Sequence, residues 1–206
     1  MTQRIEDVRK RAQRLMQDAN VLLEGHFDFG NGYHGRVYLN PHMLFCHPST
    51  IWQLAQDLLD VLPYDVVSQI QAVVGPATGG ALLAHTLAGL LDGRRSLEGP
   101  PSLFAPIDFD QEEGLRLRST YRGLLAGKKV LLADDVRNTG KTLSHCAELV
   151  RKAGGQVIAT CQIYDRMASV VALDVPNVAL LEYSARDIYT STTCPQCAAG
   201  VPLTAF

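Results

Sequence analysis

From Gln71 to Leu181, short apolar runs alternate with helical stretches. The runs are Ala72-Val73-Val74, Ser102 to Ala105, Val130 to Ala133, Gln156 to Ile163 and Val178 to Leu181. Between them lie helical patterns from Gly79 to Leu91 and from Gly140 to Ala153, the second with Leu143, Ala147 and Val150 as its core stripe. Alternation of this kind predicts an α/β domain whose largely parallel central sheet is flanked by helices. The 206 residues suffice for one such domain, and 47% apolar side chains exclude a disordered chain. Residues 72–91 carry no Asp, Glu, Lys or Arg, a length that spans a bilayer. Gly75, Pro76, Gly79 and Gly80 punctuate the run, so it reads as a strand and a buried helix, with no membrane partner expected.

Ahead of this pattern, residues 3–23 read as an amphipathic helix through Ile5, Val8, Ala12, Leu15, Met16 and Ala19. Residues 25–40 mix glycines with Phe27, Phe29, Tyr33 and Tyr38 and predict a β-hairpin. Pro48 and Ser49 open a further helix that Pro63 ends, with Trp52 expected in the core. Residues 107–119 read as a long polar, irregular loop.

Two turns carry the chemistry. In Val130-Leu131-Leu132-Ala133-Asp134-Asp135-Val136-Arg137-Asn138-Thr139-Gly140-Lys141-Thr142 an apolar strand meets two acids, a polar glycine turn and a helix. A helix N-terminus at the carboxyl end of a strand presents backbone N–H groups and a positive dipole end to a phosphate. Two carboxylates beside it suit sugar hydroxyls or a bound magnesium. Gly75-Pro76-Ala77-Thr78-Gly79-Gly80 forms a second strand-to-helix turn. Neither is a Walker A loop, because Asp135 stands where its first glycine belongs, nor a dinucleotide fingerprint.

The segment from Val130 to Thr142 resembles the phosphoribosyl pyrophosphate signature of type I phosphoribosyltransferases, and within that family the orotate-using enzymes. Gly25-His26-Phe27 with Asn31-Gly32 and Tyr38, the 75–80 turn, Asp165-Arg166, and Cys194-Pro195-Gln196-Cys197 with Gly200-Val201-Pro202-Leu203 resemble other segments of those enzymes, in the same order. The resemblance implies a single domain over residues 1–206, with a hood from about 1–45 and 183–206, a core at 46–182 and a mobile loop at 107–119. It implies transfer of the 5-phosphoribosyl group of phosphoribosyl pyrophosphate to orotate, with Mg2+, by a cytoplasmic homodimer that takes no nucleic acid. Asp134 and Asp135 would bind the ribose hydroxyls, and Asn138, Thr139, Gly140, Lys141 and Thr142 the 5-phosphate. Thr78, Gly79 and Gly80 would meet the pyrophosphate. Arg166 would pair with the orotate carboxylate, and Phe29 and His26 would line the acceptor side.

The family's loop carries an Arg-Lys pair, a further Lys and a His, whereas this chain has Asp108, Asp110, Glu112 and Glu113 there. Either Arg116 and Arg118 replace those catalytic cations, or they lie in a solvated charged stretch. Two rival readings accompany this departure: another nucleobase-like acceptor, or a non-catalytic sensor of phosphoribosyl pyrophosphate or a nucleotide. With 19 Lys and Arg against 21 Asp and Glu the net charge is −2, which argues against nucleic-acid binding. Five cysteines in no framework spacing suit a reducing compartment. A zinc site needs four ligands, and Cys194-x-x-Cys197 offers two. Cys46-His47 is the pair available to complete one, so the tail reads as packed with reduced thiols, and no metal ligand is assigned.

Overall fold

The computed structural model describes residues 2–28, 32–96, 99–112, 114–166, 171–183 and 188–205. In chain order the elements are α1 (Thr2–Asp18), β1 (Leu22–Asp28), β2 (Tyr33–Leu39), α2 (His42–Phe45), α3 (Pro48–Val61), α4 (Tyr64–Val67), β3 (Ala72–Pro76) and α5 (Gly79–Arg94). They continue with β4 (Leu103–Asp110), β5 (Gly114–Arg116), α6 (Ser119–Leu125), β6 (Lys129–Arg137), α7 (Lys141–Lys152), β7 (Gln156–Asp165), β8 (Asn177–Glu182), β9 (Ile188–Thr190) and α8 (Pro195–Ala198).

The main sheet runs β5-β4-β3-β6-β7-β8, parallel throughout except for the antiparallel β4–β5 hairpin. Strand residues alternate between its two faces. Val73, Leu131, Ala133, Cys161 and Ile163 pack with Leu54, Leu58, Leu83 and Leu87 of α3 and α5. Val74, Ala105, Leu132 and Val157 pack with Leu143, Cys146, Ala147 and Val150 of α7. The expected α7 stripe is therefore in place, with Cys146 added to it. Covering both faces explains why β3 is buried at all five positions and has no polar side to mark it.

A second, antiparallel sheet, β1-β2-β9, joins the two ends of the chain. The predicted hairpin is its β1–β2 pair. Helix α1 instead sends Val8, Ala12 and Met16 into the main core. Arg11 on α1 also pairs with the buried Asp57 of α3, which Gln53 contacts as well at 3.0 Å.

Two expectations change. Trp52 is half exposed on α3 rather than core, because Ile51, Leu54, Ala55 and Leu58 take the helix face that meets the sheet. The described residues of 107–119, which leave out Glu113, are not an irregular loop. Strand β4 continues to Asp110 and pairs back with β5, placing Asp108 opposite Arg116 and Asp110 opposite Gly114. Acids and arginines along one chain look like a solvated run, but folded back they are cross-strand partners. Arg116 reaches Asp110 at 3.8 Å, and Arg118 pairs with Asp108. Ile107 and Leu117 are buried beneath them.

Candidate active site

Strand β3 leads through α5 to β4 on one side, and its other neighbour, β6, leads through α7 to β7. The chain thus reverses direction across the sheet between β3 and β6, and ligands of open α/β sheets bind at the carboxyl ends of such strands. Both glycine turns lie there.

The first turn runs from Gly75 to the start of α5, with a cis peptide bond between Ala77 and Thr78. Ala77 N–H donates to Ile107 O at 2.8 Å, which ties the turn to the β4–β5 hairpin. Thr78 is the N-cap of α5, so the first-turn N–H groups at Gly79 and Gly80 open toward the carboxyl ends of the strands. A Cβ on Gly79 would lie 2.6 Å from Asp135 Cγ and 2.8 Å from Phe45 Cε2. One on Gly80 would lie 2.8 Å from Asp134 Oδ1. Both carboxylates of β6 therefore rest directly on the glycine pair that opens α5.

Asp134 is buried and Asp135 partly exposed. Asp135 N–H donates to Asp134 Oδ1 at 3.0 Å, and Val136 N–H to Asp135 Oδ1 at 2.8 Å. Burial holds the Asp134 carboxyl well above the ordinary carboxylate range. The Asp135 charge and the side-chain hydrogen bond to it push the same way, against the weaker pull of the backbone N–H. An unfolded Asp titrates near about 3.9, so stability from this group is full below that pH and is lost as pH rises through the folded pKa. Asp134→Asn keeps an acceptor for Asp135 N–H and removes the titration. Its melting temperature should exceed that of the unmodified chain at neutral pH, and the gap should close toward about pH 4. Thermal unfolding at several pH values checks this, and a gap that widens on acidification would contradict it.

The second turn joins β6 to α7. Gly140 has φ +82°, and a Cβ there would collide with Val171 O, so glycine is required twice over. Thr139 O accepts from Val171 N–H at 3.0 Å. Arg137 donates to Val171 O at 3.1 Å and to the buried Asp165 at 2.8 Å. Asn138 is exposed and accepts from Arg166 Nη1 at 3.2 Å. Lys141 and Thr142 are exposed on the first turn of α7.

Residues 51–191 match the model of the phosphoribosyl transferase domain, more than half of the chain. The chain belongs to the phosphoribosyltransferase family. The orotate phosphoribosyltransferase of Caldicellulosiruptor saccharolyticus is 31% identical over 191 residues, 92% of each protein. The crystal structure of orotate phosphoribosyltransferase from Aeropyrum pernix superposes with a TM-score of 0.62 at 21% identity, over 82% of this chain and 92% of that one. Adenine phosphoribosyltransferase from Saccharomyces cerevisiae gives 0.60 at 19% identity, over 82% and 98%. Proteins named for different bases share this fold, so side chains rather than topology choose the acceptor.

In this phosphoribosyltransferase Asp134, Asp135, Thr78, Gly79, Gly80 and residues 138–142 sit at the carboxyl ends of the two neighbouring strands β3 and β6. Arg166 follows the next strand, β7, and its backbone N–H donates to Arg137 O at 2.9 Å. Burial lowers the Arg166 pKa, and Tyr183, Tyr38 and Tyr164 raise it. Phenols from β2, β7 and the end of β8 thus act electrostatically on this guanidinium, a setting that sequence spacing does not reveal. Phe29 lies outside the described residues. His26 does not line the acceptor side: it is buried, with Nδ1 at 2.9 Å from Val201 O and Nε2 toward Cys194. Arg137, beside the second turn, is engaged by Asp165. Arg116 and Arg118 are paired with Asp110 and Asp108 of their own hairpin, so two of the acids that stand where the family's loop carries cations neutralise these arginines.

Proposed function

We propose that this phosphoribosyltransferase transfers the 5-phosphoribosyl group of phosphoribosyl pyrophosphate to orotate, forming orotidine monophosphate and pyrophosphate. The observation that carries the acceptor is Arg166, which donates to Asn138 of the second phosphate turn and lies within electrostatic reach of Tyr183, Tyr38 and Tyr164. A planar guanidinium matches a carboxylate, and phenols offer flat faces and hydroxyls to a heterocycle. The 31% identity to an orotate phosphoribosyltransferase over 92% of both chains supports the same acceptor.

In this reading the turn 138–142 binds the 5-phosphate and Asp135, the more open acid, takes ribose hydroxyls with Asp134 behind it. Thr78, Gly79 and Gly80 present the α5 terminus to pyrophosphate. The bond from ribose C1 to the pyrophosphate oxygen breaks, and the leaving group keeps the electron pair. The bond from C1 to orotate N1 forms as that nitrogen gives up its proton to the leaving pyrophosphate or to water. Charge builds on pyrophosphate, where the α5 dipole and backbone N–H groups are already aimed, so the chain contributes positioning and electrostatics. Magnesium fits the donor chemistry of this place: Asp135, partly exposed, offers a carboxylate beside the glycine pair that opens α5. Held through the acids' hydration and the substrate, it would supply neutralising charge to the phosphate oxygens. Arg116 and Arg118 reach pyrophosphate only by exchanging the acids that now hold them.

Loss of orotate absorbance in the presence of phosphoribosyl pyrophosphate and magnesium tests the reading. Arg166→Ala should raise the orotate KM by about 10- to 100-fold, the worth of charge-assisted hydrogen bonds to a carboxylate. The phosphoribosyl pyrophosphate KM should stay nearly constant. Equal effects on both substrates would remove Arg166 from the acceptor site. Absence of turnover with orotate but not with another base would replace the acceptor.

A further inference from the structure

At the β1–β2 hairpin, four side chains converge that the transfer reaction does not use. His26 is on β1 and His34 on β2, while Cys194 and Cys197 flank the start of α8. One ligand atom from each lies within 4.8 Å of all the others. His26 Nε2 is 3.4 Å from Cys194 Sγ and 3.6 Å from Cys197 Sγ, and His34 Nδ1 is 3.2 Å from Cys197 Sγ. A tetrahedral zinc ion with bonds of about 2.3 Å to sulfur and about 2.0–2.1 Å to nitrogen sets nitrogen–sulfur edges near 3.5 Å. The observed separations bracket that edge.

The surroundings point the same way. His26 Nδ1 lies 2.9 Å from Val201 O, so that nitrogen carries the proton and Nε2 turns its lone pair toward the sulfurs. A backbone carbonyl on the outer nitrogen is the usual support of a metal-bound imidazole. His26 and His34 are both buried, an expensive place for two imidazoles without fixed partners.

We infer that His26, His34, Cys194 and Cys197 form a structural zinc site clamping the C-terminal tail onto the β1–β2 hairpin. Two nitrogens and two sulfurs fill a tetrahedron, so no position is left for a substrate or reactive water. The clamp works beside weaker ties between the same segments. Thr204 exchanges hydrogen bonds with His26 O and Asp28 N–H at 2.8 and 2.9 Å, and Gln196 donates to Gly25 O at 3.1 Å. Cys46, the other cysteine considered as a ligand, is exposed and turned to His42 O at 3.7 Å.

Protein purified without chelator from zinc-supplemented cells should contain about one zinc ion per chain by elemental analysis. Cobalt in its place should show tetrahedral d–d bands and thiolate charge transfer. Cys197→Ser and His34→Ala should lose most of the metal, whereas Cys46→Ser should retain it. Because those variants risk misfolding, the unmodified chain is also treated with a chelator: its melting temperature should fall and recover when zinc alone is restored. Metal far below one per chain with no cobalt spectrum overturns the inference. So does zinc retained by Cys197→Ser, or a Cys194–Cys197 disulfide in freshly purified protein.

Discussion

Asp165→Ala should destabilise the protein by about 3–5 kcal/mol, the cost of stranding a buried charge. Asp165 accepts from Arg137 at 2.8 Å, Gln162 at 3.2 Å and Asn177 at 3.3 Å. The ion-paired side chains are only 11% and 4% exposed, so water cannot replace the carboxylate for Arg137. The pair Arg4–Asp60, with Arg4 71% exposed, should contribute no more than about 1 kcal/mol. Arg137 also holds Val171 O, and Val171 in turn holds Thr139, so Asp165→Ala should loosen the phosphate turn and raise the phosphoribosyl pyrophosphate requirement. Replacing both partners by apolar residues, Arg137→Met with Asp165→Leu, should recover much of the stability, because no charge is left unpaired. Urea unfolding of the single and double variants measures this. A loss below about 1 kcal/mol for Asp165→Ala would mean that solvent reaches Arg137 after all.

Gly75→Ala should lower kcat/KM about a hundredfold. A methyl at Gly75 overlaps the Gly80 carbonyl, lying 2.5 Å from its carbon and 2.8 Å from Ala133 O. These are backbone atoms and cannot rotate aside. Restoring ordinary contact, which begins at 3.4 Å, moves the start of α5 by about 1 Å relative to Asp134 and Asp135. A displacement of that size at a positioning site costs about 10²-fold, and overpacking adds roughly 1–3 kcal/mol of instability. Gly89→Ala, in the same helix with nothing within 4 Å of its added carbon, should instead stabilise by about 0.5–1 kcal/mol and leave the rate alone. Steady-state kinetics with thermal unfolding separates the two effects. Similar kinetics for both variants would show that the first turn adjusts freely.

Much of the core was readable because its periods are local. Val73 and Val74 alternate between faces, and Leu143, Ala147 and Val150 repeat at helical spacing, so neighbours along the chain reveal which side is buried. The two glycine turns were legible for a similar reason, since each sits where a strand pattern gives way to a helix pattern. The hairpin of β4 and β5 was not. Asp108 and Asp110 gain meaning only when Arg116 and Arg118 fold back on them, which makes partners of charges that read along the chain as a solvated stretch. Trp52 misled because a large apolar side chain on a helix was assigned inward without knowing how far round α3 the sheet reaches.

The sequence by itself determined the α/β order of elements, the two phosphate turns and the acid pair, because backbone geometry and burial period are written in residues a few places apart. Only the tertiary structure decided what Arg137, Arg166 and His26 face. Asp165 lies 28 residues from Arg137, and Cys194 lies 168 residues from His26. Partners that far apart meet through sheet order and the closure of the tail on the hairpin, and no local spacing encodes that meeting.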